Sequence, residues 1–467
     1  MHGTLIKLLK IAEEQKRTIF IVGGFVRDHL AGLEIRDVDL VVSEDAIQFA
    51  KRVAWRLRAD YKLLDSAAQY SRVSLKTYCN KMLDLDFSLL RNNSIIADLK
   101  SRDFTINAMA VNLKDYLAGE GWESGIIDPC GGRDDLRAGL LRITGKRSLA
   151  DDPIRLMRSA RLLLRFGLTL DENSRQAVRK FARAIKSTSR IRVAIELFLL
   201  LAAVNAAEGM RILHAELSVL GEIFAPFAGM SEKKDKRGES LLEHGLRTCE
   251  QLEKILRGDT GFCPQILGKL HMHLSMELEE GRTRLCYLKL ACIIHDIGKL
   301  DAPVPAGGRH DSFSHGLAGD TYVDGLSQRL NLSEKEHYHL TQLVRNHSRP
   351  FFLRDDQPAS YFRFFQQFKN LAPELLLLKA ASIAGRGGCN KKCAEILGEY
   401  FSGTYKDLPE TVISAGEIMD YFNLPPTRFV GSLLEEAYSA QLSGRVRTKE
   451  EALSLISALV SNKTGYN

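Results

Sequence analysis

The hydrophobic period changes once along the 467 residues, and that change constrains the fold more than any other feature. From Thr18, TIFIVGG reads as a strand entering a glycine pair, FVRDHLAG as a short helix, and RDVDLVV as a second strand. Further β-rich runs at SRVSLKTY, KMLDLDFSLL and FTINAMAVNL predict a small mixed sheet, which ends near Asp128-Pro129 where CGG turns the chain. After about Asp151 the period is helical, with short polar links and no convincing strand. The expected class is therefore α+β: a mixed-sheet head over residues 1–148, then an extended all-helical region. The charged run GMSEKKDKRGE and a change of composition near Tyr400–Pro409 divide that region into 149–228, 240–400 and 401–467.

With 45% apolar and 26% charged residues, the composition is that of a chain able to bury several cores. The opening MHGTLIKLLKIAEEQKRTIF mixes Glu and Lys and lacks the apolar core and cleavage site of a secretion signal. The densest apolar run, Ile191–Val204, is shorter than the roughly 20 residues of a membrane span and contains Arg192 and Glu196, so it reads as a buried helix. A cytoplasmic protein without membrane association is expected. Cys79, Cys130, Cys249, Cys263, Cys286, Cys292, Cys389 and Cys393 are scattered singly, which predicts reduced thiols. Cys389 and Cys393 share a helical spacing, but no two further soft ligands lie beside them in sequence. A net charge of +7 and a pI near 8.9 suit a polyanionic partner without identifying one.

Gly23-Gly24 follows a strand and precedes a helix, where absent side chains let backbone N–H groups approach a triphosphate and Arg27 can act as a clamp. Asp37-Val38-Asp39 then runs into Leu40-Val41-Val42. Strand alternation puts both carboxylates on one face and Val38 on the other. Two such carboxylates can hold Mg²⁺, although a solvated pair in a turn is an equally ordinary reading. Asp86 in MLDLDFSLLR would add a third carboxylate from a neighbouring strand, while Asp84 reads as an exposed strand residue.

The stretches VGGFVRDHLAG…RDVDLVV, DLKSRDFTINAMAVNL, IIDPCGGRDDLRAGLLRITG and DDPIRLMRSARLLLRFGL resemble, in order and spacing, the successive motifs of class II tRNA nucleotidyltransferases and bacterial poly(A) polymerases. The resemblance covers about residues 18 to 225. It implies that Asp37 and Asp39 are the catalytic metal ligands in a two-metal Mg²⁺ mechanism, to which Asp86 would add its carboxylate. Gly23, Gly24 and Arg27 would hold the triphosphate, and Arg102, Asp103 and Asn107 would shape the nucleotide site; turn capping is the competing role for Asp103 and Asn107. Family members choose the incoming base with protein side chains, and the matching pattern here is Asp151-Asp152-Pro153-Ile154-Arg155, with Asp151 where Glu is usual. Asp152, Arg155 and the adjacent Arg158 are thus base-reading candidates, against the alternative that Asp152-Pro153 merely caps a helix. Arg175, Arg179, Arg183, Lys186 and Arg190 recur at helical spacing and would follow an RNA backbone or simply form a solvated face.

Farther on, LLEH at 241–244 and IIHDIGK at 293–299 resemble an HD domain, which implies a second divalent metal held by His244, His295 and Asp296. His315 and His347 match further histidines of such domains, but Ser382 stands near the place of the expected terminal Asp. The domain would then either retain hydrolysis or serve as an inherited body for RNA.

Among products, the compact stretch RNNSIIADLKSR lacks the longer segment that relatives adding the terminal A usually carry. This favours addition of CC to the tRNA 3′ end from CTP, with a separate A-adding enzyme acting afterwards. Full CCA addition or A addition, with ATP as substrate, and poly(A) synthesis are the alternatives within the family; the closing segment favours tRNA over poly(A) synthesis. An HD phosphohydrolase and a non-catalytic RNA-binding protein are the alternatives outside it.

Overall fold

A computed structural model of the chain describes residues 1–35, 37–76, 82–145, 147–235, 237–262, 264–301, 314–353, 358–403, 409–442 and 444–464. The candidate cysteines Cys79 and Cys263, and the side chain of His315, lie outside the described residues. The chain forms two compact units. One comprises Met1–Glu196 with Ile212–Ile223, the other Leu197–Arg211 with Phe224–Asn467.

The first unit is built on a sheet of β1 (Ile19–Val22), β2 (Asp37–Val42), β3 (Asp60–Asp65), β4 (Tyr70–Lys76), β5 (Met82–Leu89) and β6 (Ala110–Asn112). Their order is β3-β4-β5-β2-β1-β6, with β2 and β5 parallel and the other neighbours antiparallel. Alternation fixes what each face carries. Val38, Leu40, Val42, Val73, Leu83, Leu85 and Phe87 are buried against Leu5, Leu8, Phe25, Phe49 and Val53 from the helices His2–Glu14, Gly24–Leu30 and Ala46–Leu57. The intervening residues, among them Arg72, Asp84, Asp86, Asp37 and Asp39, therefore share the opposite face. A slip of one residue in β2 would bury two carboxylates and expose three aliphatic side chains, each worth about 1.5–3 kcal/mol when buried.

Four expectations need correction. The strand β3 was not anticipated, because only Tyr61 of its six residues is even partly buried, so it shows no apolar alternation; its charged side chains suit an edge position. In FTINAMAVNL only Ala110–Asn112 is strand, since Thr105–Asn107 forms a 3-10 turn after Asp103. The region after Asp151 is not free of strands: Thr169–Leu170 pairs in parallel with Leu140–Leu141, and Glu277–Glu279 with Arg282–Thr283 forms a hairpin around Gly281, whose φ is +71°. The Arg190–Leu201 helix is also not fully buried, for Ile191, Ile195 and Leu199 lie exposed at four-residue intervals.

Among its described residues the second unit is helical apart from that hairpin. Its Leu241–Arg257 helix begins at Ser240, whose side chain accepts the Glu243 N–H, and ends at Gly258 in the left-handed region. It meets the Arg284–Ile294 helix so closely that a Cβ on Gly245 would stand 2.0 Å from the Ile293 carbonyl oxygen. The fully buried Glu374, on the Ala372–Gly385 helix, accepts hydrogen bonds from Arg284 and makes close contacts with His273 and His339. These three basic partners hold the Glu374 carboxyl down at about 2 despite its burial. A separate apolar cluster containing Ile418, Leu433, Ala437 and Ile456 closes the chain. Among the described residues, no helix is long and apolar enough to cross a membrane.

Candidate active site

On the polar face of the sheet, register brings the carboxylates together. Asp37 lies opposite Asp84 and Asp39 opposite Asp86 across the parallel β2–β5 pair, while Arg72 lies opposite Asp86 from β4. On the other side Asp39 pairs with Val22, the last residue before the glycine turn. A Cβ on Gly23 would stand 2.9 Å from Arg102 Nη1 and 3.4 Å from Asp39 Oδ2, so the turn, at φ +66°, tolerates no side chain there. The strand pair bounds one cavity of about 870 Å³ that reaches Val22 just before the glycine turn and is lined by Asp39, Asp86, Tyr70, Asp98, Arg102, Asp103, Arg155, Arg158 and Arg192 among others.

Asp39 and Asp86 are not equivalent. Burial, partly offset by Arg102 and reinforced by Asp86 and Asp37, raises the pKa of Asp39. Asp86 instead accepts two hydrogen bonds from Arg72, both 2.8 Å, and one from the Tyr70 hydroxyl at 2.9 Å. Asp84 accepts from Ser74 at 2.6 Å. Asp39, half-buried and desolvated, has Asp37 and Asp86 as charged neighbours, and carboxylate oxygens are the donors a hard divalent cation such as Mg²⁺ takes; with Asp86 held by Arg72 and Tyr70, the three do not close into one group of ligand atoms in this structure.

The remaining candidates fall into three groups. Arg27, expected as a triphosphate clamp, is buried: its guanidinium donates to Asp28 at 2.7 Å and to Asn107, and stacks on Phe166. Arg102 is the cation that reaches over Gly23 into the cavity. Asp103 accepts from the Phe104 N–H and from Asn107, and faces Arg158 at 3.5 Å, so it both shapes the turn and presents a carboxylate to the cavity.

Asp152 does not cap the following helix. The N-cap there is Ile154, and both Asp152 oxygens are taken by Arg192 at 2.9 and 2.7 Å. Arg155 donates to the carbonyls of Ser101, Arg102 and Ser148, and Arg158 pairs with Glu196. Arg192 and Tyr70 were not singled out from the sequence. Arg192 stands in a segment whose apolar content drew attention first, and nothing local links it to Asp152, 40 positions earlier.

Along the basic stripe, Arg179, Arg183, Lys186 and Arg190 are exposed; Arg183 and Lys186 lie near Glu222, and Arg175 reaches the Leu170 carbonyl. Cys389 is exposed while Cys393 is buried, and neither belongs to a metal-holding group among the described residues.

In the second unit His244, His295 and Asp296 do converge, all buried, with candidate ligand atoms within 4.8 Å of one another. Burial pushes both imidazoles down to about 4, so they are neutral at physiological pH. His347 Nε2 lies 3.6 Å from Asp296 Oδ1. Ser382 is buried on the Ala372–Gly385 helix and supplies no charge.

Comparison with known proteins gives a consistent result. Residues 19–142 match the poly(A) polymerase head domain family. The chain is 25% identical to a CC-adding tRNA nucleotidyltransferase of Synechocystis over 93% of its length and 91% of the relative's. It is 28% identical to an A-adding tRNA nucleotidyltransferase of Deinococcus radiodurans, covering 93% and 94%. In fold it is similar to the Thermotoga maritima CCA-adding enzyme solved with tRNA, with a TM-score of 0.58 at 22% identity over 98% of this chain and 95% of that one. Taken with the glycine turn and the carboxylates facing each other across β2 and β5, these matches make residues 19–142 a poly(A) polymerase head domain, in a chain similar along most of its length to tRNA nucleotidyltransferases.

Proposed function

We propose that this enzyme adds two C residues to the tRNA 3′ end from CTP, without a nucleic-acid template, in the cytoplasm. The observation that carries the transfer chemistry is Asp39, half-buried and facing Asp86 across β2 and β5 beside the Gly23-Gly24 turn, where desolvation raises its pKa. In this reading the ribose 3′-oxygen attacks the α-phosphorus, the hydroxyl proton goes to solvent, and the bond to the β-phosphate breaks to release pyrophosphate. Mg²⁺ ions, when bound, neutralise the charge that develops on the transferring phosphoryl group. Asp37, Asp39 and Asp86 are the residues that would hold them. Arg102 orients the triphosphate over the glycine turn, where the missing side chains admit it. Asp152 and Arg158, each already fixed by an ion pair, offer an acceptor and a donor to the base edge. Arg175, Arg179, Arg183, Lys186 and Arg190 follow the RNA backbone. Residues 1–148 act as the head, 149–228 as the neck, 240–400 as the HD-like body and 401–467 as the tail.

The preference for CC over A rests on residues 91–102. Ser94 caps a short helix, Ile95–Lys100, by accepting the Ala97 N–H, and Arg102 returns to Asp98 at 3.2 Å. Such a compact connection leaves little chain with which to resize the base site after the second C. The test offers tRNAs ending before CCA, after C and after CC, each with CTP or ATP alone, and reads product length. Growth by two and by one residue with CTP on the first two, and none with ATP on the third, is the expected pattern. Extension of the third tRNA by ATP would transfer the assignment to the CCA-adding or A-adding reading.

A further inference from the structure

We propose that Arg386 is the resident cation of the His244, His295 and Asp296 cluster, standing where an HD domain would bind a divalent metal, so that this centre ties helices together without metal and without hydrolysis. The contacts of Asp296 carry the case. Its Oδ2 lies 2.6 Å from Lys299 Nζ and 3.6 Å from Arg386 Nη2, with His295 Nε2 at 3.5 Å and His244 Nε2 at 3.9 Å. Arg386 Nη2 also donates to His244 Nε2 at 3.1 Å. That nitrogen's lone pair is the one a metal would need, and a guanidinium does not give up its proton at physiological pH.

The charge balance points the same way. Two side chains with permanent charge, Lys299 and Arg386, converge on Asp296, and near the place where the resemblance to HD domains implies a further Asp stands the neutral Ser382. The other carboxylate at hand, Glu239, lies 4.0 Å from His244 Nδ1 but is paired with Arg247, so a dication added here would meet two cations against Asp296 alone, whereas a metal site of this class gathers carboxylates to offset its ion. Arg386 is moreover well placed to stay. It follows the Ala372–Gly385 helix directly, and a cation at a helix C-terminus is favoured by the exposed carbonyls. Through it the Ala372–Gly385 helix is fastened to His244 on the Leu241–Arg257 helix and to Asp296 just beyond the Arg284–Ile294 helix. The Nδ1 atoms of His295 and His347 face the Cys292 and Val344 carbonyls at 2.9 and 2.7 Å, which directs both Nε2 lone pairs toward the cluster. Removing the guanidinium would thus open a usable set of ligands.

The experiment loads the full-length protein with Ni²⁺ or Mn²⁺, removes free metal by gel filtration and counts bound equivalents by mass spectrometry. Only the portion lost on His295→Ala is assigned to the cluster, which separates it from ions held by the head. Wild type should hold no such portion, and Arg386→Met should gain about one equivalent of Ni²⁺ while keeping nucleotide addition. A wild-type protein that retains about one His295-dependent equivalent overturns the proposal, as does an Arg386→Met protein that gains none. Should Arg386→Met not fold, Arg386→Gln takes its place and the wild-type count still decides.

Discussion

Asp39 stands directly across the parallel β2–β5 pair from Asp86, yet only Asp86 is gripped by Arg72 and Tyr70. The two carboxylates should therefore differ in mutational cost. Replacing Asp39 by Ala removes the ligand whose environment is least satisfied without cation, and should lower kcat on the order of 10²–10³-fold or more. Asp86→Asn, which keeps a partner for Tyr70, should cost less. Single-turnover rates with saturating CTP would separate them, and equal losses would show that Arg72 releases Asp86 fully in the working state.

Burial raises the Asp39 pKa, so ionising it costs the folded protein stability. That cost is absent below the unfolded carboxylate pKa of about 3.9 and grows as pH rises through the raised folded value. Without divalent ions, Asp39→Asn should accordingly melt higher than wild type at neutral pH, with the gap closing as pH falls toward 4. Added Mg²⁺ should raise the wild-type Tm and leave the Asn variant nearly unmoved. Parallel melting curves at every pH would contradict this.

The bidentate pair between Asp152 and Arg192 makes a prediction about base choice. If Arg192 fixes the Asp152 carboxylate for reading a base, Asp152→Ala and Arg192→Ala should each relax discrimination between CTP and UTP. The double variant should be little worse than either alone, giving a coupling of about 0.5–3 kcal/mol in kcat/KM. Additive losses would assign Arg192 an independent contact.

What could be read from the sequence was local. The glycine turn and the Asp37-Val38-Asp39 alternation are written within a few residues, since a positive φ and a strand period need no distant partner. The Tyr70 and Arg72 hold on Asp86 depends on the β4–β5 register, and Asp152 meets Arg192 only once two helices are packed; neither relation leaves a mark at its own position. Arg27 also has partners that its own stretch of sequence does not show. Its place after Gly23-Gly24 suggested a phosphate clamp, but Asn107 and Phe166, far along the chain, draw it into the interior. Strand β3 escaped notice because an edge strand with exposed side chains has no apolar face to betray it.

Packing in the second unit allows a sharper test of stability. Gly245→Ala would drive a methyl group to 2.0 Å from the Ile293 carbonyl oxygen, backbone that cannot step aside without separating two helices. Destabilisation of at least about 1–3 kcal/mol is expected, seen as a lower denaturant midpoint. A midpoint equal to wild type would mean that the helices lie farther apart than described.

The central claim is that the Asp39 face of the sheet transfers nucleotides to RNA, and pyrophosphate release measures it most directly. Full-length protein given Mg²⁺, CTP and a tRNA lacking its CCA end should release two pyrophosphates per tRNA, and the Asp37→Ala, Asp39→Ala double variant essentially none while still binding tRNA. Release that persists in the double variant, or wild-type protein that binds the tRNA and releases nothing, would contradict it.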